Sequence, residues 1–195
     1  MKMIRREETL IYAFDESLPV EHEIPLGYRL VPLNLSNIEE IFADVADEWR
    51  RREYPGLLRG GCLGLALRDD RGWAAVQWIA PAASNGPPHL PRRLTRGRTW
   101  CFNEHTRAEH RNRGLWRSLK AIGIQSARAL DPVNANIVYS DTGSKNVASR
   151  VAHERFGFSP RGVAITYRLR IPMLLDIKVG RWNRERRHPD RAGEL

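Results

Sequence analysis

The chain has little cysteine. Cys62 and Cys101 are the two it carries in 195 residues; both lie in strand-like runs without metal-ligand spacing, which argues against a disulfide framework or a zinc site and predicts buried free thiols. It has no apolar run near the ~20 residues that a membrane span needs. Its first residues, MKMIRREETLIYAFDES, lack the apolar stretch of a secretion signal, so a cytoplasmic location is expected. Acidic residues are in deficit, 23 Asp and Glu against 32 Lys and Arg, for a net charge of +9. A basic surface attracts any polyanion. The excess, however, sits in RLRIPMLLDIKVGRWNRERRHPDR and PRRLTRGR, and neither is a recognisable nucleic-acid module. Nucleic acid is therefore not the expected partner, and a solvated basic surface is the alternative source of the charge.

What is present is enough apolar material, 42% of residues, for one compact domain. The expected division is a single domain over 1–195, with 1–26 as an N-terminal extension and 171–195 as a basic C-terminal tail, working as a monomer or homodimer. Apolar or alternating runs bounded by turn residues predict strands at 27–33, 62–69, 73–80, 98–106, 136–141 and 163–170, with an earlier one at 10–14. Helical spacing of Ile38, Ile41, Phe42, Val45 and Trp49 predicts an amphipathic helix over 37–53. A second helix is predicted over 115–130, stopped by Asp131-Pro132, and a third over 145–156, ended by Gly157. Hairpins can join three consecutive strands while helices must cross over between the later ones, so the sheet is expected to be mixed. The Pro- and Gly-rich stretch 81–97 reads as a substrate lid.

Two segments carry chemistry. EHRNRGLWRSL (109–119) lies between the end of a strand and the start of a helix. A helix start offers unpaired N–H groups and the positive end of its dipole to a phosphate, and Gly114 lets the backbone come close to one. Arg107, Arg111 and Arg113 add positive charge. In NVASRVAHERFGF (146–158), Asn146, Ser149 and His153 fall within about 60 degrees of one another on a helix of 3.6 residues per turn, a narrow polar stripe expected to border a cleft.

Arg111, Gly114 and the following helix resemble the RxxGxG/A pyrophosphate loop of GNAT acyltransferases, with Trp116 where that family usually has a second small residue. The later block is similar to the same family's Asn-containing helix, with His153 where the family usually has Tyr and Gly157-Phe158 closing it. Together they cover 98–170. The resemblance implies a GNAT fold of the α/β (α+β) class, a mixed central sheet of about six to seven strands flanked by about four helices. It also implies an N-acetyltransferase in which a primary amine attacks the thioester of acetyl-CoA directly. A non-catalytic acyl-CoA-binding module is the alternative, since the departures at Trp116 and His153 both touch the active site.

On that resemblance, the pyrophosphate of acetyl-CoA lies against Arg111, Asn112, Arg113, Gly114, Leu115 and Trp116. Asn103, Glu104, His105 and Thr106 run beside the pantetheine arm, where backbone N–H groups stabilise the oxyanion. Asn146 contacts the pantetheine and Ser149 is a small polar neighbour. Glu104 interrupts the alternating face Trp100, Phe102, Glu104 and is the first candidate for general base, with a salt bridge to an arginine as the structural alternative. Asp141 is the second candidate, and His105, on the opposite face, a weaker one. His153 inherits the position of the proton donor to the thiolate. Cys101 reads as a packed residue and no covalent nucleophile is required. No metal is implied. The acceptor is expected to meet residues 47–58, 81–98 and 165–171, whose Arg and Trp suit an anionic or sugar-like amine.

Overall fold

The computed structural model describes residues 4–15, 23–42, 48–171 and 175–184. Strand β1 (Ile4–Phe14) is followed by β2 (Arg29–Leu33), the helices α1 (Glu39–Phe42) and α2 (Glu48–Arg59), and the meander β3 (Leu63–Asp69), β4 (Gly72–Ala80) and β5 (Thr99–Thr106). A short helix α3 (Arg92–Thr95) interrupts the connection between β4 and β5. Then come α4 (Leu115–Leu130), β6 (Val138–Gly143), α5 (Val147–Phe156), β7 (Ser159–Ile171) and β8 (Leu175–Asn183).

The strands form one mixed sheet in the order β2-β3-β4-β5-β6-β1-β7-β8, with β5 and β6 parallel and the other pairs antiparallel. With eight strands and five α-helices among the described residues, the fold is slightly larger than expected. Part of each expected terminal segment belongs to the sheet. Residues 4–14 enter the interior of the sheet between β6 and β7, and 175–183 pair with β7 as its neighbouring strand. Within the helix expected over 37–53, α1 and the start of α2 are helical, and 43–47, with Val45 of the predicted stripe, lie outside the described residues.

Each face of the sheet buries a core. On one side α4 sets Leu115, Leu119, Ile122 and Ala127 against Leu10, Tyr12, Leu65, Leu67 and Cys101. On the other, Ile38, Ile41, Tyr54 and Leu57 of α1 and α2 and their connections meet Trp73, Val76, Trp78, Trp100 and Phe102. The alternation of apolar residues along β4 and β5 serves both layers, which is why these strands read as nearly continuous apolar runs. The stretch 81–97 is not a detached lid: Leu90, Pro91 and Thr95 are buried, Arg93 donates to the Gly180 carbonyl, and Arg98 stacks over Tyr139 and Trp182.

Candidate active site

Strands β5 and β6 pair over only three positions, Thr99 with Val138, Trp100 with Tyr139 and Cys101 with Ser140. Beyond Cys101 they diverge. Asn103 takes a left-handed backbone, φ 51, and the β4–β5 register shifts between Val76 and Trp78, a bulge in β5. The opening between the strands is a cleft of about 820 Å³ lined by Asn103, Glu104, His105 and Thr106 of β5, Asp141 and Thr142 of β6, the loop before α4, Asn146, Ser149 and Ala152 around α5, and His89.

The loop ends at Gly114, left-handed at φ 77, which stands at the N-terminus of α4 without a capping side chain. Among the described residues none of the N–H groups of Leu115, Trp116 and Arg117 finds an acceptor, and Arg111, Asn112, Arg113 and Gly114 are exposed. These are the conditions for binding an anion at a helix start. The loop is braced from behind. His110 is buried and its Nδ1 lies 3.0 Å from the Tyr28 hydroxyl, which Arg113 Nη1 also meets at 3.1 Å. Trp116, the bulky departure from the expected motif, does not fill the loop. Its ring packs edge-on to His153 and Phe156, and Nε1 donates to Glu104 Oε2 at 2.8 Å.

Glu104 faces the side of the sheet opposite to the one alternation predicts. The bulge at Asn103 turns it away from Trp100 and Phe102, towards α4. There its carboxylate accepts from Lys120 Nζ and Trp116 Nε1, with the Ser140 hydroxyl 3.5 Å away. A carboxylate clamped by an ammonium and an indole is poorly suited to take a proton from an amine, so the ion-pair alternative describes Glu104 better, with a lysine in place of an arginine. Lys120 is fully buried, donates to Ser140 Oγ at 2.9 Å, and lies over the rings of Trp116 and Phe158 at 5.2 and 5.1 Å. His105 stays on the opposite face, its ring 5.9 Å from that of Trp73.

His153 does not border the cleft with Asn146 and Ser149 but lies behind them. It has no exposed surface, and its ring stacks on Tyr12 at 5.0 Å. Both ring nitrogens are satisfied when Nδ1–H donates to the Ser149 carbonyl at 2.7 Å and Nε2 accepts from the Ser140 hydroxyl at 2.8 Å. Burial, then the positive charge of Lys120, push the imidazole down to about 4, against the pull of Glu104. A neutral, enclosed imidazole is a weak acid for a thiolate in the cleft, which corrects the expectation of a proton donor here. Asn146 caps α5, its Oδ1 accepting from Ser149 N at 3.2 Å. The Cys101 thiol is pushed up to about 12, mainly by burial, and is inert as a nucleophile.

Asn103 and Asp141 each bring a polar atom without a partner among the described residues to the cleft. Asn103 Nδ2 is a buried donor without an acceptor, and Asp141 Oδ1 a buried acceptor without a donor. The other oxygen of Asp141 is held by His89 Nε2 at 2.7 Å. His89 was not singled out by sequence because GPPHLP carries no periodicity. Lys120 had a weak signal, one turn after Trp116 on a stripe continued by Gly123 and Ala127.

Comparison with solved structures decides the architecture. A structure from Novosphingobium aromaticivorans assigned to the GNAT family superposes with a TM-score of 0.59 at 20% identity, over 85% of this chain and 66% of that one. The chain has the GNAT fold. A GCN5-related N-acetyltransferase from Kribbella flavida matches with a TM-score of 0.56 at 17% identity, over 84% of this chain and 58% of that one. A tandem GNAT protein from the clavulanic acid biosynthesis pathway matches at 0.58 and 14% identity, over 79% and 50%. The chain thus spans between half and two thirds of the length of these GNAT-fold structures. No family model matches the chain, and no curated protein matches it in sequence. No helix among the described residues is long and apolar enough to cross a membrane.

Proposed function

We propose that the protein is an acyl-CoA-dependent N-acyltransferase that moves an acetyl group from acetyl-CoA to a primary amine by direct attack. The observation that carries this reading is the continuity of the cleft. It runs from the unpaired N–H groups behind Gly114, along the open edge of β5, to the point where β5 and β6 part. The loop suits the pyrophosphate through Leu115, Trp116 and Arg117 N–H groups, with Arg111 and Arg113 beside it. The open β5 edge from Asn103 to Thr106 suits the amides of the pantetheine, with Asn146 and Ser149 on the far wall. Asn103 Nδ2, a buried donor without a partner, suits a carbonyl oxygen that gains charge during attack. The inert Cys101 agrees with a reaction that forms no covalent enzyme intermediate.

Calorimetric titration with acetyl-CoA and a thiol-release assay with primary amines test the reading. Gly114→Val places a β-branched residue at φ 77 and blocks approach to the loop, so the affinity for acetyl-CoA should fall about tenfold or more, the equivalent of ~1.4 kcal/mol or above. Equal affinity in a folded variant removes the loop as the binding site. Binding with no thiol release for any amine would leave an acyl-CoA-binding module.

A further inference from the structure

Asp141 is the first residue of β6 beyond its last pairing with β5, and it is cross-strand partner to Ile11 of β1. Ser140 before it turns towards Lys120 and His153, so alternation sends Asp141 to the face of Phe102 and Ile11, away from α4. Its side chain is 8% exposed and lines the cleft. One carboxylate oxygen is fixed by His89 at 2.7 Å, and the other has no partner among the described residues. Among the described residues no lysine or arginine pairs with it, and Lys120 is committed to Glu104 and Ser140. A buried carboxylate oxygen without a donor is costly, so a position that keeps one calls for an explanation beyond packing.

His89 is brought to this place by a stiff segment. Pro87 and Pro88 precede it, Leu90 N–H closes a turn on the Pro87 carbonyl, and Leu90 and Pro91 are buried behind it. Two arginines of the same connection are engaged with backbone carbonyls. Arg93 donates to the Gly180 carbonyl and Arg98 to those of Leu94 and Arg96. Among the described residues, the unpartnered Asp141 Oδ1 therefore offers an acidic acceptor to this end of the cleft.

We infer that the Asp141–His89 pair is the amine-receiving site of the acyltransferase proposed above. Asp141 Oδ1 accepts a hydrogen bond from the ammonium group of the acceptor and takes its proton, while His89 holds the carboxylate in place through Oδ2. The neutral nitrogen then forms a bond to the thioester carbonyl carbon. Collapse of the tetrahedral intermediate breaks the C–S bond, the nitrogen gives up its second proton, and one proton returns to the thiolate. The net products are the amide, free CoA and one proton. The substrate class that follows is a primary amine that is cationic before reaction, and an anionic group placed next to the amine is disfavoured.

The inference rests on the acyltransferase reading, and the two fail differently. Thiol release from acetyl-CoA would be measured with glucosamine, spermidine, lysine and tryptamine, beside calorimetry with acetyl-CoA alone. Asp141→Asn keeps shape and removes the base. It should lower kcat by about a hundredfold or more with every amine the wild type uses, while leaving acetyl-CoA affinity unchanged. His89→Gln retains a donor to Oδ2 and should keep much more activity than His89→Ala, which frees the carboxylate. An Asp141→Asn protein that binds acetyl-CoA normally and turns over at the wild-type rate overturns the inference and leaves the acyltransferase reading standing. Wild-type protein that binds acetyl-CoA but turns over none of these amines also overturns it. Failure of the wild type to bind acetyl-CoA overturns the acyltransferase reading itself.

Discussion

His153 combines enclosure with a titrating ring, and that combination has a consequence for stability. Its folded value is about 4 against an ordinary 6.5, through burial and the nearby Lys120 charge. Between these values the unfolded chain binds more protons than the folded one, so stability is complete above about pH 6.5 and declines as pH falls towards 4. The wild type should lose about 2 kcal/mol between pH 7 and pH 5 from this residue alone. Urea unfolding at the two pH values, compared between wild type and His153→Phe, checks it. The Phe variant should lack that part of the decline, and parallel losses in both proteins would assign the acid sensitivity elsewhere. At this scale the sequence was readable where a property is local: the glycine that opens α4 and the two buried free cysteines. It was misread where a side chain's surroundings come from remote strands, as for Glu104 and His153.

At the scale of elements, the bulge in β5 does most to shape the site. Period-2 alternation put Glu104 beside Trp100 and Phe102, and one left-handed residue at Asn103 reversed it. Asparagine tolerates that conformation and a β-branched residue does not. Asn103→Val should cost about 1–2 kcal/mol of stability through the left-handed backbone, with weaker acetyl-CoA binding, whereas Asn103→Gly should fold normally. Thermal melts of both variants decide the matter, and a Val variant as stable as the wild type would mean the bulge is not maintained by this residue. Helix α4 met expectation at both ends, 115 and 130, because Gly114 and Asp131-Pro132 punctuate a strong apolar period.

For the whole molecule, the placement of β1 matters most. It pairs with β6 on one side and β7 on the other, and buries Leu10, Ile11, Tyr12, Ala13 and Phe14. Deleting residues 1–14 should therefore abolish the folded monomer, since it opens two strand edges in mid-sheet and empties both core layers beside them. Size-exclusion chromatography and circular dichroism would show this, and a folded, monomeric truncated chain would contradict the strand order. Composition, period and turn chemistry determined a mixed α/β layout, the order of most elements and the glycine turn that opens α4, because those signals act between residues a few positions apart. Tertiary structure alone decided that the first strand lies inside the sheet, that Lys120 closes on Glu104, and that His89 meets Asp141 across 52 residues. Such pairings follow from which distant segments the closed sheet brings within hydrogen-bonding distance, and no local periodicity records that choice.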